Sequence, residues 1–108
     1  MPGSYRFSRR TAERLSEIAT WTNATFGPAQ ADRCERLFID RLAALTEGRV
    51  QTRPLSRLTG AAHHETLTTL KVGRHLLILL PEPQGWVVID ILHDAQNLTD
   101  RDFDQEEP

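Results

Sequence analysis

The sequence predicts an α+β domain: an N-terminal strand, an antiparallel helical hairpin, then a three-stranded antiparallel sheet. Three features point there. Between Leu70 and His93, two apolar runs of strand length, HLLILL and WVVIDIL, are separated by PEPQG. Between Arg9 and Glu47, apolar residues recur every three or four positions on either side of a Gly27-Pro28 joint. Ahead of both, Tyr5 and Phe7 alternate with Arg6, as in a short edge strand.

In chain order, Ser4 to Phe7 is that edge strand, and Ser8 follows as an N-cap whose hydroxyl can accept an unpaired amide of the first helical turn. From Arg9 to Phe26, a single helical stripe carries Ala12, Leu15, Ile18, Ala19, Thr22 and Phe26. Arg10, Glu13, Arg14 and Glu17 fall on the wet side, and Trp21 lies at the stripe's boundary. Gly27 then ends the helix, and Pro28 opens the next with its φ already helical. So short a joint folds the two helices antiparallel. The second helix runs from Pro28 to about Glu47, burying Ala31, Cys34, Leu37, Phe38, Leu42 and Leu45 before Gly48 stops it. At about 1.5 Å per residue, each helix is about 27–30 Å long, enough to cross a small sheet.

The segment 49–65 has no clear period and contains Pro54 and Gly60. An irregular connection is expected there, with a helical turn over 61–64. From Thr66 to Val72, Leu70 and Val72 alternate with Thr69 and Lys71, giving a first strand. Apolar runs as short as the next two cannot be told from buried helix by period alone, so their flanks decide. Gly73 precedes the first run, and Pro81, Pro83 and Gly85 divide the two, which predicts a hairpin with a loop of five residues, PEPQG. Leu76, Ile78 and Leu80 then face one way and His75, Leu77 and Leu79 the other. Across the hairpin, Val87, Ile89 and Ile91 oppose Trp86, Val88 and Leu92. A sheet with one wet face would alternate cleanly. One helix pair covers one face, so the other is expected to stay apolar and open to a partner. The candidate partner-binding surface is Trp21, Leu76, Leu77, Leu79, Leu80 and Trp86.

A chain of 108 residues suits one domain, expected over 1–101, with an acidic and mobile tail over 102–108. With 39% hydrophobic and 26% charged residues, wholesale disorder is not expected. No apolar run approaches the roughly 18 residues of a membrane span, and MPGSYRFSRR lacks a signal-peptide core. One cysteine, Cys34, excludes an internal disulfide and suits the cytoplasm. The net charge is −2, with acids crowded into DFDQEEP, so the remainder is mildly basic. That falls well short of a dedicated nucleic-acid binder, and no direct DNA binding is expected. All but one of the basic residues are arginines, which suit carboxylate and phosphate contacts better than lysine does.

Four stretches, in this order, resemble the ParE branch of the RelE/ParE superfamily of bacterial toxin–antitoxin modules. They are YRFSRRTAERLSEIATWT, TFGPAQADR, KVGRHLLIL and VVIDILHDAQNL, spanning most of the chain from Tyr5 to Leu98; VGRHL and ILH are the most specific parts. The resemblance implies a toxin neutralised by a small ParD-like antitoxin encoded beside it, whose C-terminal tail wraps the toxin's helices and sheet. ParE-like members typically poison DNA gyrase, whereas RelE-like members cleave mRNA on the ribosome. The chain departs from its relatives where an aromatic residue and then Tyr-Arg commonly follow the VGRHL-like motif; here stand Ile78, Leu79 and Leu80. Asp90 stands where Arg is common three residues before the histidine, and Ala95 and Gln96 where Arg is common after it. These changes remove positive charge and a phenol from the working surface, which keeps a non-toxic, antitoxin-binding relative among the alternatives.

A ribonuclease must activate a 2′-hydroxyl, hold a phosphate with fixed cations and protonate the leaving oxygen. Lys71, Arg74, His75 and His93 are the candidates, and adjacent strands would bring the two histidines together. The structural alternative has His93 bonding backbone at a strand end and His75 at an edge. A single lysine and the anion at Asp90 argue for binding over cleavage, with Arg74, His75 and His93 as target contacts. His63, His64 and Glu65 do not make a metal site, since adjacent histidines diverge and nothing nearby completes a ligand set. Cys34, on an apolar stripe, is read as packing. Arg53 and Arg57 could join Arg74 in a basic patch. No phosphate loop, nucleophile elbow or CxxC is present, so no cofactor is expected.

Overall fold

In a computed structural model describing residues 4–56 and 66–93, the chain runs β1 (Ser4–Phe7), α1 (Arg9–Phe26), α2 (Pro28–Thr46), β2 (Arg53–Pro54), β3 (Thr68–Val72), β4 (His75–Glu82) and β5 (Gly85–His93). The turn expected over 61–64, Arg57, His63, His64, Glu65, Leu98 and the acidic tail lie outside the described residues.

Local chemistry sets both helix starts. Ser8 Oγ accepts from Thr11 N at 3.2 Å and caps α1. Gly27, at φ 92°, ends α1 with its N–H on Asn23 O at 2.9 Å and hands over to Pro28 at the first turn of α2. The stripes hold in part. Phe38, Leu42 and Leu45 are buried, and Leu15, Ile18 and Cys34 pack against them half-covered. Phe26 and Leu37 instead face outward, while Thr11, Thr22 and Ala44 are buried. The reason is placement: α1 packs on α2 and β5 and lays no large apolar side chain fully into the core.

The sheet has five strands in the order β1-β5-β4-β3-β2. β1 pairs with β5 in parallel, Ser4 opposite Gly85 through Phe7 opposite Val88. The three central strands are antiparallel, as expected. The two residues of β2 pair with β3 and were not anticipated, because Arg53-Pro54 lies in a segment without period. β4 continues through Glu82, so the hairpin turn is only Pro83-Gln84 rather than five residues. Pro81 is tolerated because it lies beyond the end of β3, which stops opposite Leu79.

One irregularity reorders β5. Ile78 pairs with Asp90 but Leu79 with Val88, leaving Ile89 as an extra, bulged residue. An extra residue flips every side chain beyond it. Ile91, rather than Leu92, therefore joins Val88 beneath the helices, and Leu92 joins Val87 and Ile89 on the far face.

The far face is not open. Ile78, Val87, Ile89 and Leu92 are inaccessible there, with Leu55 and Leu67 packed among them and Leu76 and Leu80 at the margin. Leu55 is drawn in by its N–H on Leu67 O at 2.9 Å. The expected bare flank is thus covered by this chain's own residues. Leu77 and Leu79, at 1% and 0% exposure, belong to the core under the helices and offer a partner nothing.

Candidate docking groove

Because α1 sits on α2 and β5 without reaching across β3 and β4, the helical layer leaves gaps at its sides. The larger is a groove of about 1020 Å³ where α1 and α2 meet the turn between β3 and β4. Trp21, Phe26, Leu37 and Phe38 supply its apolar wall, and Arg33 and Arg74 its charge. A second recess of about 320 Å³ opens on the β1 side, between Phe7, Leu15, Ala19 and Ile39. Cys34, Ile18 and Phe38 line both, so the helix seam forms the partition.

The wall of the larger groove is exposed. Trp21 is 61% accessible, Phe26 62% and Leu37 41%, with the two rings edge to face at 5.6 Å. Folded monomers rarely leave such side chains clustered at the surface without use. Sequence reasoning placed Phe26 and Leu37 in the core and missed them here. The available signal was position: Phe26 is the last residue of α1, beside the joint, where little lies opposite it.

Glycine geometry builds the mouth. Gly73 turns the chain at φ 60°, and a Cβ there would meet Leu37 Cδ2 at 3.0 Å. Arg41 pins the same corner, its Nε and Nη2 donating to Lys71 O at 3.3 and 3.2 Å. This corner presents Arg74 and His75 to the groove, the His75 ring centroid 5.4 Å from that of Phe38. His93 is the register partner of His75 across β4 and β5, so the two histidine backbones are adjacent as expected.

Lys71 does not join them. Its neighbours Leu70 and Val72 enter the core under the helices, so Lys71 points from the other side of β3. Arg53 is also outside the groove, on β2 at the sheet edge remote from β5. Leu76 and Leu80 are half-buried at the far face, and Trp86 is half-buried against the core beside its partner Tyr5.

Charge beneath the groove is organised by Asp90, which is wholly buried. Its Oδ1 accepts from Ile91 N at 2.8 Å and lies 2.8 Å from Arg14 Nε; Arg10 Nη1 is 4.0 Å from Oδ2. The Arg14 Nε–H is angled too poorly for a hydrogen bond, so that contact is electrostatic. Arg14 lines the groove already held by this carboxylate, which leaves Arg33 and Arg74, against Glu17, to meet an occupant. Burial raises the Cys34 thiol above its ordinary pKa, the opposite of what a nucleophile needs. Among the described residues, no three His, Cys, Asp or Glu side chains gather to hold a metal ion, and no helix is long and apolar enough to cross a membrane.

No protein-family model matches the sequence. No curated protein matches it either. In three dimensions the chain is similar to a chain from the chromosomal ParDE TA system of P. aeruginosa, with a TM-score of 0.67 and 14% identity, over 86% of this chain and 97% of that one. At that identity the likeness is one of fold. The α+β architecture, a helix pair on a mixed sheet, is thus a ParE-like fold, as the four motifs implied.

Proposed function

We propose that this chain is the ParE-like toxin of a bacterial toxin–antitoxin pair, acting in the cytoplasm by binding a protein target and held silent by a ParD-like antitoxin. The observation that carries this reading is the open apolar groove between Trp21, Phe26 and Leu37 on a fold shared with a ParDE TA system chain. An amphipathic antitoxin segment would lay its apolar side there. At about 25 cal/mol per Å², covering a few hundred Å² of such surface drives association by several kcal/mol before its entropic costs. The target is DNA gyrase, approached through Arg74 and His75 at the mouth, with His93 as the third contact. Binding is favoured over cleavage because Lys71 and His75 leave opposite sides of the sheet and Asp90 places an anion behind the site.

The test is induction of the chain with and without the product of the short neighbouring reading frame. Growth arrest that the neighbour relieves, together with inhibition of supercoiling by purified gyrase, is expected. Normal growth and unaffected supercoiling would overturn the toxin reading. If the neighbour's product still co-purified, the non-toxic, antitoxin-binding alternative would stand in its place. One observation favours a second reading, a ribosome-dependent mRNA endoribonuclease: His75 and His93 are cross-strand partners with Arg74 beside them. Mapping transcript ends after induction tests it, and Arg74→Ala or His93→Ala should then abolish the cuts.

A further inference from the structure

We infer that the outer edge of β1 pairs antiparallel with the same edge of a second copy of this chain, joining two sheets about a two-fold axis at Arg6. The inference does not rest on the toxin reading, since neither an antitoxin nor a target enters it or its test.

The backbone carries the first part of the case. Among the described residues, β1 is the outermost strand on its side of the sheet. It pairs with β5 in parallel, and Ser4 N–H donates to Gln84 O at 3.2 Å and Ser8 N–H to Val88 O at 3.0 Å. Backbone groups alternate in direction along a strand, so Ser4, Arg6 and Ser8 face β5. Tyr5 and Phe7 aim their N–H and C=O groups away from the sheet. Such a row is a template for another strand. A second copy laid antiparallel and centred on Arg6 sets Tyr5 opposite Phe7 and Phe7 opposite Tyr5. Each facing pair then exchanges both of its N–H···O=C bonds, and none of these outward groups is left over. The edge is complementary to itself, which is what a two-fold interface requires.

The side chains point to the same occupant. Charge on an edge strand ordinarily guards it against pairing, but Arg6 Nη2 reaches back over β5 to Glu82 Oε2 at 2.8 Å. The only charge of β1 is thereby neutralised and drawn off the edge, so Arg6 can lie opposite its own copy without the repulsion of bare like charges. On the helix side, the Tyr5 and Phe7 rings meet edge to face at 5.6 Å. Phe7 and Ile39 stay 38% and 50% exposed beside the recess of about 320 Å³. Pairing sets Tyr5 of each copy against Phe7 of the other, and cross-strand aromatic pairs add to the ladder bonds. A strand of four residues makes a small interface, so the dimer is weak and forms with rising concentration.

Sedimentation equilibrium of the full chain, from micromolar to near-millimolar, should show a monomer–dimer equilibrium. Phe7→Pro removes an outward N–H that β5 does not use, and should weaken association more than about tenfold. Cross-linking reads the register directly. In a Cys34→Ala background, Arg6→Cys should form a disulfide-linked dimer on oxidation with diamide. Position 6 alone lies opposite itself, at about 4.5 Å between Cα atoms, within disulfide range. Tyr5→Cys and Phe7→Cys, each offset from its own copy, should not link. This pattern decides the matter even if Phe7→Pro disturbs the fold. A chain that stays monomeric throughout would overturn the inference. So would a dimer in which Tyr5→Cys or Phe7→Cys links as readily as Arg6→Cys, because another face or register would then hold it.

Discussion

Arg14 Nε lies 2.8 Å from Asp90 Oδ1, and that carboxylate has no exposure to solvent. The pair ties the second turn of α1 to β5 one residue past the bulge at Ile89. The Asp90 charge, which in sequence looked like a bar to phosphate binding, is thus also a tie that fixes the helix forming one wall of the groove. Removing either partner should destabilise the fold, but unequally. Arg14→Ala leaves a buried charge poorly compensated and should cost about 2–3 kcal/mol. Asp90→Asn keeps an acceptor for Ile91 N and takes a charge away from two arginines that are already a third to a half exposed, so about 1 kcal/mol is expected. Urea unfolding of both variants checks the order; a costlier Asp90→Asn would contradict it.

Gly85 opens β5 directly opposite Ser4, and a Cβ there would sit 1.9 Å from Ser4 O. Backbone, unlike a flexible side chain, cannot step aside cheaply. Gly85→Ala should therefore cost about 2–4 kcal/mol and loosen β1 from the sheet. Gly48→Ala is the contrast, since nothing lies within 4 Å of its added carbon and only its φ of 75° is strained, so about 1 kcal/mol is expected. Hydrogen exchange at Ser4 and Ser8, whose N–H groups bond Gln84 O and Val88 O across β1 and β5, should rise in the first variant and stay unchanged in the second.

What could be read without coordinates was what is decided locally. Ser8 as a cap, the Gly27-Pro28 joint and the two faces of β4 follow from a few neighbouring residues, and they stand as expected. The bulge at Ile89 does not, because its carbonyl and that of Val88 are held from far along the chain, by Ser8 Oγ at 3.1 Å and Thr11 Oγ1 at 2.8 Å. Nothing in WVVIDIL announces that. Leu55 was equally illegible, being a single apolar residue in a segment without period that closes the face expected to be bare. In the groove, Trp21, Arg74 and His75 were visible as a boundary aromatic and a turn. Leu37 was hidden because a stripe shows which side of a helix is apolar but not how far the partner layer extends.

That distinction separates folding from docking at two positions. Trp21 and Leu37 are largely exposed, so Trp21→Ala and Leu37→Ala should each change stability by no more than about 0.5 kcal/mol. Phe38→Ala, buried in the core between them, should cost about 3–4 kcal/mol. If the groove receives the antitoxin segment, the two surface variants should weaken its capture more than about tenfold while melting like the parent. Titration calorimetry beside thermal melts separates the effects; unchanged affinity in both variants would remove the groove from the interface.

Cys34 gives a pH-dependent view of the same partition, because it lines both recesses. Burial raises its pKa above the usual 9.0 by disfavouring the thiolate. The folded chain thus keeps the thiol proton more firmly than the unfolded chain does. Its contribution to stability is intact below the unfolded thiol's pKa and is lost as pH rises through the folded value. The same shift slows alkylation, which needs the thiolate. Iodoacetamide labelling of the native chain should therefore reach its midpoint at a higher pH than labelling in urea. A native midpoint at or below the unfolded one would show a thiol less shielded than this packing implies. Any segment lodged against the partition should slow the native rate further at every pH, and displacing that segment should return it.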